Sequence, residues 1–136
     1  MTPMTWEEWH AFVTTHLGAP VVEETAEDGA TWFTSGDPGE VMVRLKGGSI
    51  AVFEYTVERQ GRRAVVTPRR VGSLRSHGID DTRAMTIVGA LIDAARERRV
   101  AQFLTCEYCE RRTPPEWMAD TQTCQACAGE RHGAVH

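Results

Sequence analysis

Cys106-Glu107-Tyr108-Cys109 and Cys124-Gln125-Ala126-Cys127 form two Cys-x-x-Cys pairs with fourteen residues between them, and the first 105 residues contain no cysteine. Two residues between ligands let a tight turn aim both sulfurs at one point about 2.3 Å away, and the intervening loop brings the second pair opposite the first. The chemistry this spacing predicts is tetrahedral binding of one zinc ion by Cys106, Cys109, Cys124 and Cys127. Four thiolates leave the metal no vacant position for water or substrate, so its expected role is structural. A disulfide framework would not persist in a reducing compartment, and neither pair sits at the strand-to-helix junction that a redox Cys-x-x-Cys requires. His132 and His136 are read as tail residues, because four sulfurs already complete the coordination.

Residues 104–130 resemble the zinc-ribbon family of modules, a resemblance carried by the four cysteines alone. Ribbons usually place a glycine after each pair, whereas Glu110 and Ala128 stand there, with Gly129 one place later. Cys127-Ala128-Gly129-Glu130-Arg131-His132 could instead open a short helix whose positive end favours thiolates, as in treble-clef fingers. Both options use the same ligands.

Two further groups of residues could bind a partner. Arg59, Arg62, Arg63, Arg69, Arg70 and Arg75 fall within seventeen residues, accompanied by Thr67, Ser73, Ser76 and His77, which can donate to phosphate oxygens. That composition suits nucleic acid or another anion; equally, arginines on an edge strand block edge-to-edge pairing and offset Glu23, Glu24, Glu54 and Glu58. Trp117, beside Pro114-Pro115, either covers the metal centre together with Met118 or is exposed as an anchor for a partner protein. Exposure of its indole decides between the two. His10, His16 and His77 lack the spacing of a paired helical metal site, and no nucleophile elbow, Walker loop or His-Glu-x-x-His occurs. Asp80 and Asp81 read as helix caps, although a carboxylate pair near His77 could in principle do acid–base work.

The elements that must position these groups are legible in the periodicity. Thr5-Trp6-Glu7-Glu8 is a capping box; Met4 and Trp9 take the staple positions, and Trp6, Trp9, Val13 and Leu17 continue at helical spacing until Gly18 and Pro20, which predicts a helix over 6–17. From Val21 to about Leu74 the period falls to two. Strands are expected at 30–34, 41–46, 49–58 and 62–67, separated by Asp37-Pro38-Gly39, Gly47-Gly48 and Gln60-Gly61, and short connections favour an antiparallel meander of four to five strands. A second helix is expected from Asp80-Asp81 to about Arg99, with Ala84, Ile87, Val88, Leu91, Ala94 and Ala95 as its apolar stripe and Arg96, Arg98 and Arg99 complementing its dipole.

The expected class is therefore α+β: an N-terminal helix, the meander and a second helix in a domain over 1–103, followed by a zinc-ribbon module with its tail over 104–136. The net charge of −4 hides an asymmetry: residues 1–58 carry 2 basic and 10 acidic groups, 59–99 carry 10 and 4, and 100–136 carry 3 and 5. Only the middle segment is a candidate anion-binding surface. Fourteen of fifteen basic residues are arginine and asparagine is absent, the bias of a GC-rich genome such as that of an actinobacterium or its phage. No apolar run approaches the ~18–20 residues of a membrane span, and Met1 to Glu7 lacks the features of a signal peptide, so a cytoplasmic protein is expected. The functional expectation is a non-catalytic regulatory factor acting on nucleic acid or on the transcription or translation machinery. A protein-binding adaptor or inhibitor, of host or phage origin, is the alternative, and an enzyme with its site in the N-terminal domain the third; the oligomeric state is not legible.

Overall fold

The computed structural model describes residues 4–132, the last two by their backbone, and divides into two compact units at Arg99/Val100. His136 and Met1 to Pro3 lie outside the described residues.

In the first unit, helix α1 (Trp6–Leu17) starts at the expected capping box: the Thr5 hydroxyl accepts from the Glu8 amide at 3.2 Å, and the Glu8 carboxylate accepts from the Thr5 amide at 3.0 Å. Strands β1 (Val21–Thr25), β2 (Thr31–Ser35), β3 (Val41–Lys46), β4 (Ser49–Glu54) and β7 (Arg69–Arg75) form one antiparallel sheet in the order β1-β2-β3-β4-β7. Strands β5 (Val57–Gln60) and β6 (Arg63–Val66) make a separate hairpin inserted between β4 and β7. The long strand expected over 49–58 is thus interrupted at Tyr55-Thr56. There the Thr56 hydroxyl and carbonyl both bond to Thr67, so the hairpin departs as an almost wholly exposed arm. Two strands were not resolved by alternation alone: β1 buries almost nothing, and β7 carries a bulge opposite Val52/Phe53 that breaks its period.

Alternation on the inner strands fixes which face meets the helices. Phe33, Val41, Val43, Leu45, Ile50 and Val52 point to one side, where they join Trp9, Val13 and Leu17 of α1 and Ala84, Val88, Ile92 and Ala95 of α2 (Asp81–Ala101) in a single core. Met4 packs against the same cluster. The α2 stripe is rotated from the expected one: Ile92 is fully buried, while Ile87, Leu91 and Ala94 are half-buried. Leu91 instead packs on the edge strand: a Cβ on Gly72 of β7 would stand 2.7 Å from Leu91 Cδ2, so the tip of this side chain lies directly on the strand's backbone.

The arginines at the end of α2 do more than complement its dipole. Arg96 donates to Glu40 Oε1 at 2.9 Å, to the Leu17 carbonyl at 2.7 Å and to Ser35 Oγ at 3.1 Å, satisfying an orphan carbonyl at the end of α1. Arg99 is 2% exposed, donates to the Gly39 carbonyl at 3.0 Å and stacks 5.2 Å from the centre of the Tyr55 ring. Both are parts of the interior framework. No helix among the described residues is long and apolar enough to cross a membrane.

Candidate metal centre

The second unit begins at Val100 and builds its sulfur cluster from a hairpin and a helix. Strands β8 (Leu104–Thr105) and β9 (Arg112–Thr113) pair antiparallel, and the first cysteine pair occupies the turn between them. The Cys106 amide donates to the Arg111 carbonyl at 3.1 Å and the Glu110 amide to the Cys106 carbonyl at 2.9 Å, closing a tight knuckle. Glu110 adopts φ 62°, the left-handed conformation that explains why glycine is usual one place after such a pair.

Beyond β9, Pro114 leads into a 3₁₀ turn over Pro115–Trp117, and Met118 pairs with Cys124 in an isolated bridge. Asp120 folds the intervening turn, its Oδ1 accepting from the amides of Gln122 and Thr123 at 2.8 Å each. Helix α3 (Gln125–His132) follows directly on Cys124 and carries Cys127 in its first turn. Of the two options left open by the missing glycines, the second pair therefore opens a helix.

The four Sγ atoms lie within 4.8 Å of one another, with Cys109 and Cys124 3.9 Å apart. Four sulfurs each about 2.3 Å from a central zinc stand about 3.8 Å apart at the corners of a tetrahedron, so the set fits one zinc ion with only small adjustment. A disulfide is shorter at about 2.05 Å, and all four cysteines are free thiols. The donor chemistry points the same way. Peptide N–H groups of Cys109 and Cys124 hold the Cys106 thiol well below its ordinary value, at about 6. Sharing its hydrogen with Cys124, and then burial, pushes the Cys127 thiol up to about 12. The Cys106 thiolate is thus stabilised by the backbone while Cys127 is held protonated by its crowded surroundings, an arrangement that a divalent cation reverses. Cys106 and Cys124 are buried, Cys127 half-buried and Cys109 exposed.

Met118, 6% exposed, packs on the buried sulfurs, whereas Trp117 is 49% exposed. The covering role considered for both residues is therefore Met118's.

The arginine cluster is not assembled as one patch. Arg59, Arg62 and Arg63 lie on the exposed hairpin arm, where Arg59 pairs with Ala64 and Arg63 with Gln60, so these two face opposite sides. Arg69 pairs with Glu54, on the helix-bearing side of the sheet. Only Arg70 and Arg75 share the opposite face, and register places Arg44 and Lys46 beside them. Three rows run across that face: Glu24, Trp32, Arg44, Ala51 and Ser73; Val22, Thr34, Met42, Phe53 and Arg70; and Lys46, Ser49 and Arg75. At its centre the Trp32 and Phe53 ring centres are 5.0 Å apart, Arg44 Cζ lies 5.6 and 5.5 Å from them, and Arg70 Cζ lies 5.6 Å from Phe53. Arg44 and Lys46 escaped notice in the sequence because they stand in its acidic third; the alternation of β3 was the signal that could have found them.

His10 and His16 form pairs with Glu23 at 2.6 Å and Asp93 at 3.1 Å rather than a common metal site. Asp80 caps α2, its Oδ2 accepting from the Arg83 amide at 3.0 Å. No family model, curated protein or solved structure matches the chain.

Proposed function

We propose that the protein is a non-catalytic nucleic-acid-binding factor in which zinc holds the C-terminal module in shape and the open face of the five-stranded sheet meets the phosphates. The observation that carries this reading is the charge of that face: Arg44, Lys46, Arg70 and Arg75 against one carboxylate, Glu24, in a chain of net charge −4. Lys46 pairs with Asp28 at 3.4 Å, and the charge of Arg44 also acts on that carboxylate, but among the described residues no carboxylate pairs with Arg70 or Arg75. Cations concentrated on one face of an acidic protein focus an attractive field on a polyanion while the rest of the surface repels it, which orients the encounter. The helix opening at the second cysteine pair supports a treble-clef-like reading of the metal module, and four-sulfur coordination supports a structural ion.

The test is fluorescence anisotropy of labelled oligonucleotides titrated with the zinc-loaded protein over a range of salt. Three to four phosphate contacts predict a slope of log K against log salt of about −2 to −3. The combined variant R44A/K46A/R70A/R75A should lose binding, and an unchanged affinity would refute the reading.

A second reading is favoured by one observation, the 49% exposure of Trp117 beside Pro114-Pro115: the metal module would anchor a partner protein, making the chain an adaptor or inhibitor. Capture of a partner from lysate that survives nuclease and high salt, but is lost with W117A, is the result this reading requires.

A further inference from the structure

We infer that the open sheet face takes a single strand, stacking at least one base on the Trp32–Arg44–Phe53 cluster; this rests on the nucleic-acid reading above and specifies its ligand. A duplex is held mainly through its phosphates and groove edges, and its bases are already stacked on one another. A single strand offers unstacked base faces, which aromatic rings and guanidinium planes bind with little regard to sequence.

Phosphate neutralisation alone needs no rings among the cations. Here the central row places Trp32 and Arg44 side by side on β2 and β3, and the next row places Met42, Phe53 and Arg70 on β3, β4 and β7. Ala51, fully buried between Arg44 and Ser73, is small enough for the Trp32 and Phe53 side chains to close over it to their 5.0 Å separation. Phe53 is only 6% exposed and forms the floor of the cluster; Trp32 and Arg44 are half-buried, so each keeps surface toward solvent. Arg44 lies over both rings, which restrain its guanidinium and present it as part of the platform.

The cations are placed to follow a strand across that platform. Lys46 and Arg75 lie in the row on one side of Trp32 and Arg44, and Arg70 lies in the row on the other. Successive rows on one face are about 6.7 Å apart, so these charges flank Trp32 and Arg44 along the strand direction, with Phe53 in the same row as Arg70, and can hold phosphates on both sides of a base stacked on Trp32. Ser49 and Ser73 add hydroxyls on the same face. β7 is the edge strand of the sheet, and the hairpin arm that precedes it carries Arg59, Arg62 and Arg63 in exposed positions, further cations for a chain longer than the platform.

The experiment compares a fluorescein-labelled mixed-sequence 12-mer, as single-stranded RNA and as single-stranded DNA, with a blunt duplex of the same sequence, using the zinc-loaded full chain. Expected is at least a tenfold preference for the single strands and a loss of about tenfold for Trp32→Ala on single strands only. Trp32→Phe should restore most of the affinity, which separates stacking from a general loss of structure, and circular dichroism should show both variants folded. Equal or tighter binding of the duplex, or a folded Trp32→Ala variant with unchanged single-strand affinity while R44A/K46A/R70A/R75A still loses binding, overturns this inference and leaves the broader reading standing. Absence of binding to any of the oligonucleotides at low salt overturns both.

Discussion

Removing the metal should unfold the second unit and leave the first intact. Among the described residues, the unit from Val100 onward buries three apolar side chains other than cysteine, Phe103, Pro114 and Met118, and only Met118, with Leu104 partly buried, packs on the sulfurs. Burying three such side chains contributes about 5–9 kcal/mol at most, whereas structural zinc in modules of this kind contributes about 10–16 kcal/mol of apparent binding free energy at neutral pH. The metal is therefore the dominant stabilising term, and losing even 10 kcal/mol shifts a folding equilibrium by a factor of about 10⁷. The first unit is expected to be indifferent, because its thirteen-residue core from Trp9 to Ala95 contains no metal ligand. Amide spectra of labelled protein, recorded as a chelator is titrated in under reducing conditions, should lose the dispersed signals of Thr113, Met118 and Ala128 while those of Val43, Val52 and Val88 persist. A chromogenic reporter should count one zinc released per chain. Acid should act in the same direction, since each sulfur must give up its proton to bind the metal. Metal-free protein that keeps the module's signals dispersed, with four freely reactive thiols, would refute the reasoning.

Gly72→Ala should destabilise the first unit by about 1 kcal/mol, read from the urea midpoint, because the added Cβ would stand 2.7 Å from Leu91 Cδ2 and force that side chain to repack. Glu110→Gly should stabilise the metal-loaded module by up to about 1 kcal/mol: it removes a side chain from a left-handed backbone at φ 62°, less the entropy that glycine adds to the unfolded chain; a higher thermal midpoint at saturating zinc is the measurement. The Ala30 amide, helped by Lys46, holds the Asp28 carboxyl below its ordinary value of 3.8. A lowered folded value contributes stability that is present above the unfolded value and lost as pH falls through the folded one, so Asp28→Asn should flatten the acid limb of the stability curve below about pH 4. Carbon-detected titration of the Asp28 carboxyl gives the shift directly.

The parts of this molecule that were legible in its residues are those specified locally. The capping box at Thr5 and Glu8, the Val41–Leu45 alternation and the cysteine spacing each act over a few positions, and each appears in the structure as the sequence implies. What was not legible depends on distant partners. Nothing near Tyr55 announces that the strand must break there; the break follows from the insertion of a hairpin between strands that pair with one another, β4 and β7. Arg99 reads as a solvated helix-end cation, and its burial comes from Gly39 and Tyr55, neither of them near it in sequence. The α2 stripe is likewise set by what the helix packs against, as the contact of Leu91 at Gly72 shows.

Charge illustrates the same division with a consequence for function. Counted along the chain, the basic residues concentrate in 59–99, but that segment spends Arg96 and Arg99 on the interior framework and places Arg59, Arg62 and Arg63 on the separate hairpin arm, with only Arg59 and Arg63 assigned to opposite sides by pairing. Folding then returns two cations from the acidic third, Arg44 and Lys46, to the face where Arg70 and Arg75 stand. The carboxylates of that third are mostly placed elsewhere: Glu23 pairs with His10, Glu40 with Arg96, and Glu54 is buried on the helix-bearing side. An antiparallel sheet does this sorting by geometry, because each step along a strand reverses the face and register lines up the rows. A linear tally of charge therefore misses a surface that alternation and register together define, and that surface is also where Trp32, Phe53 and their stacked arginines meet.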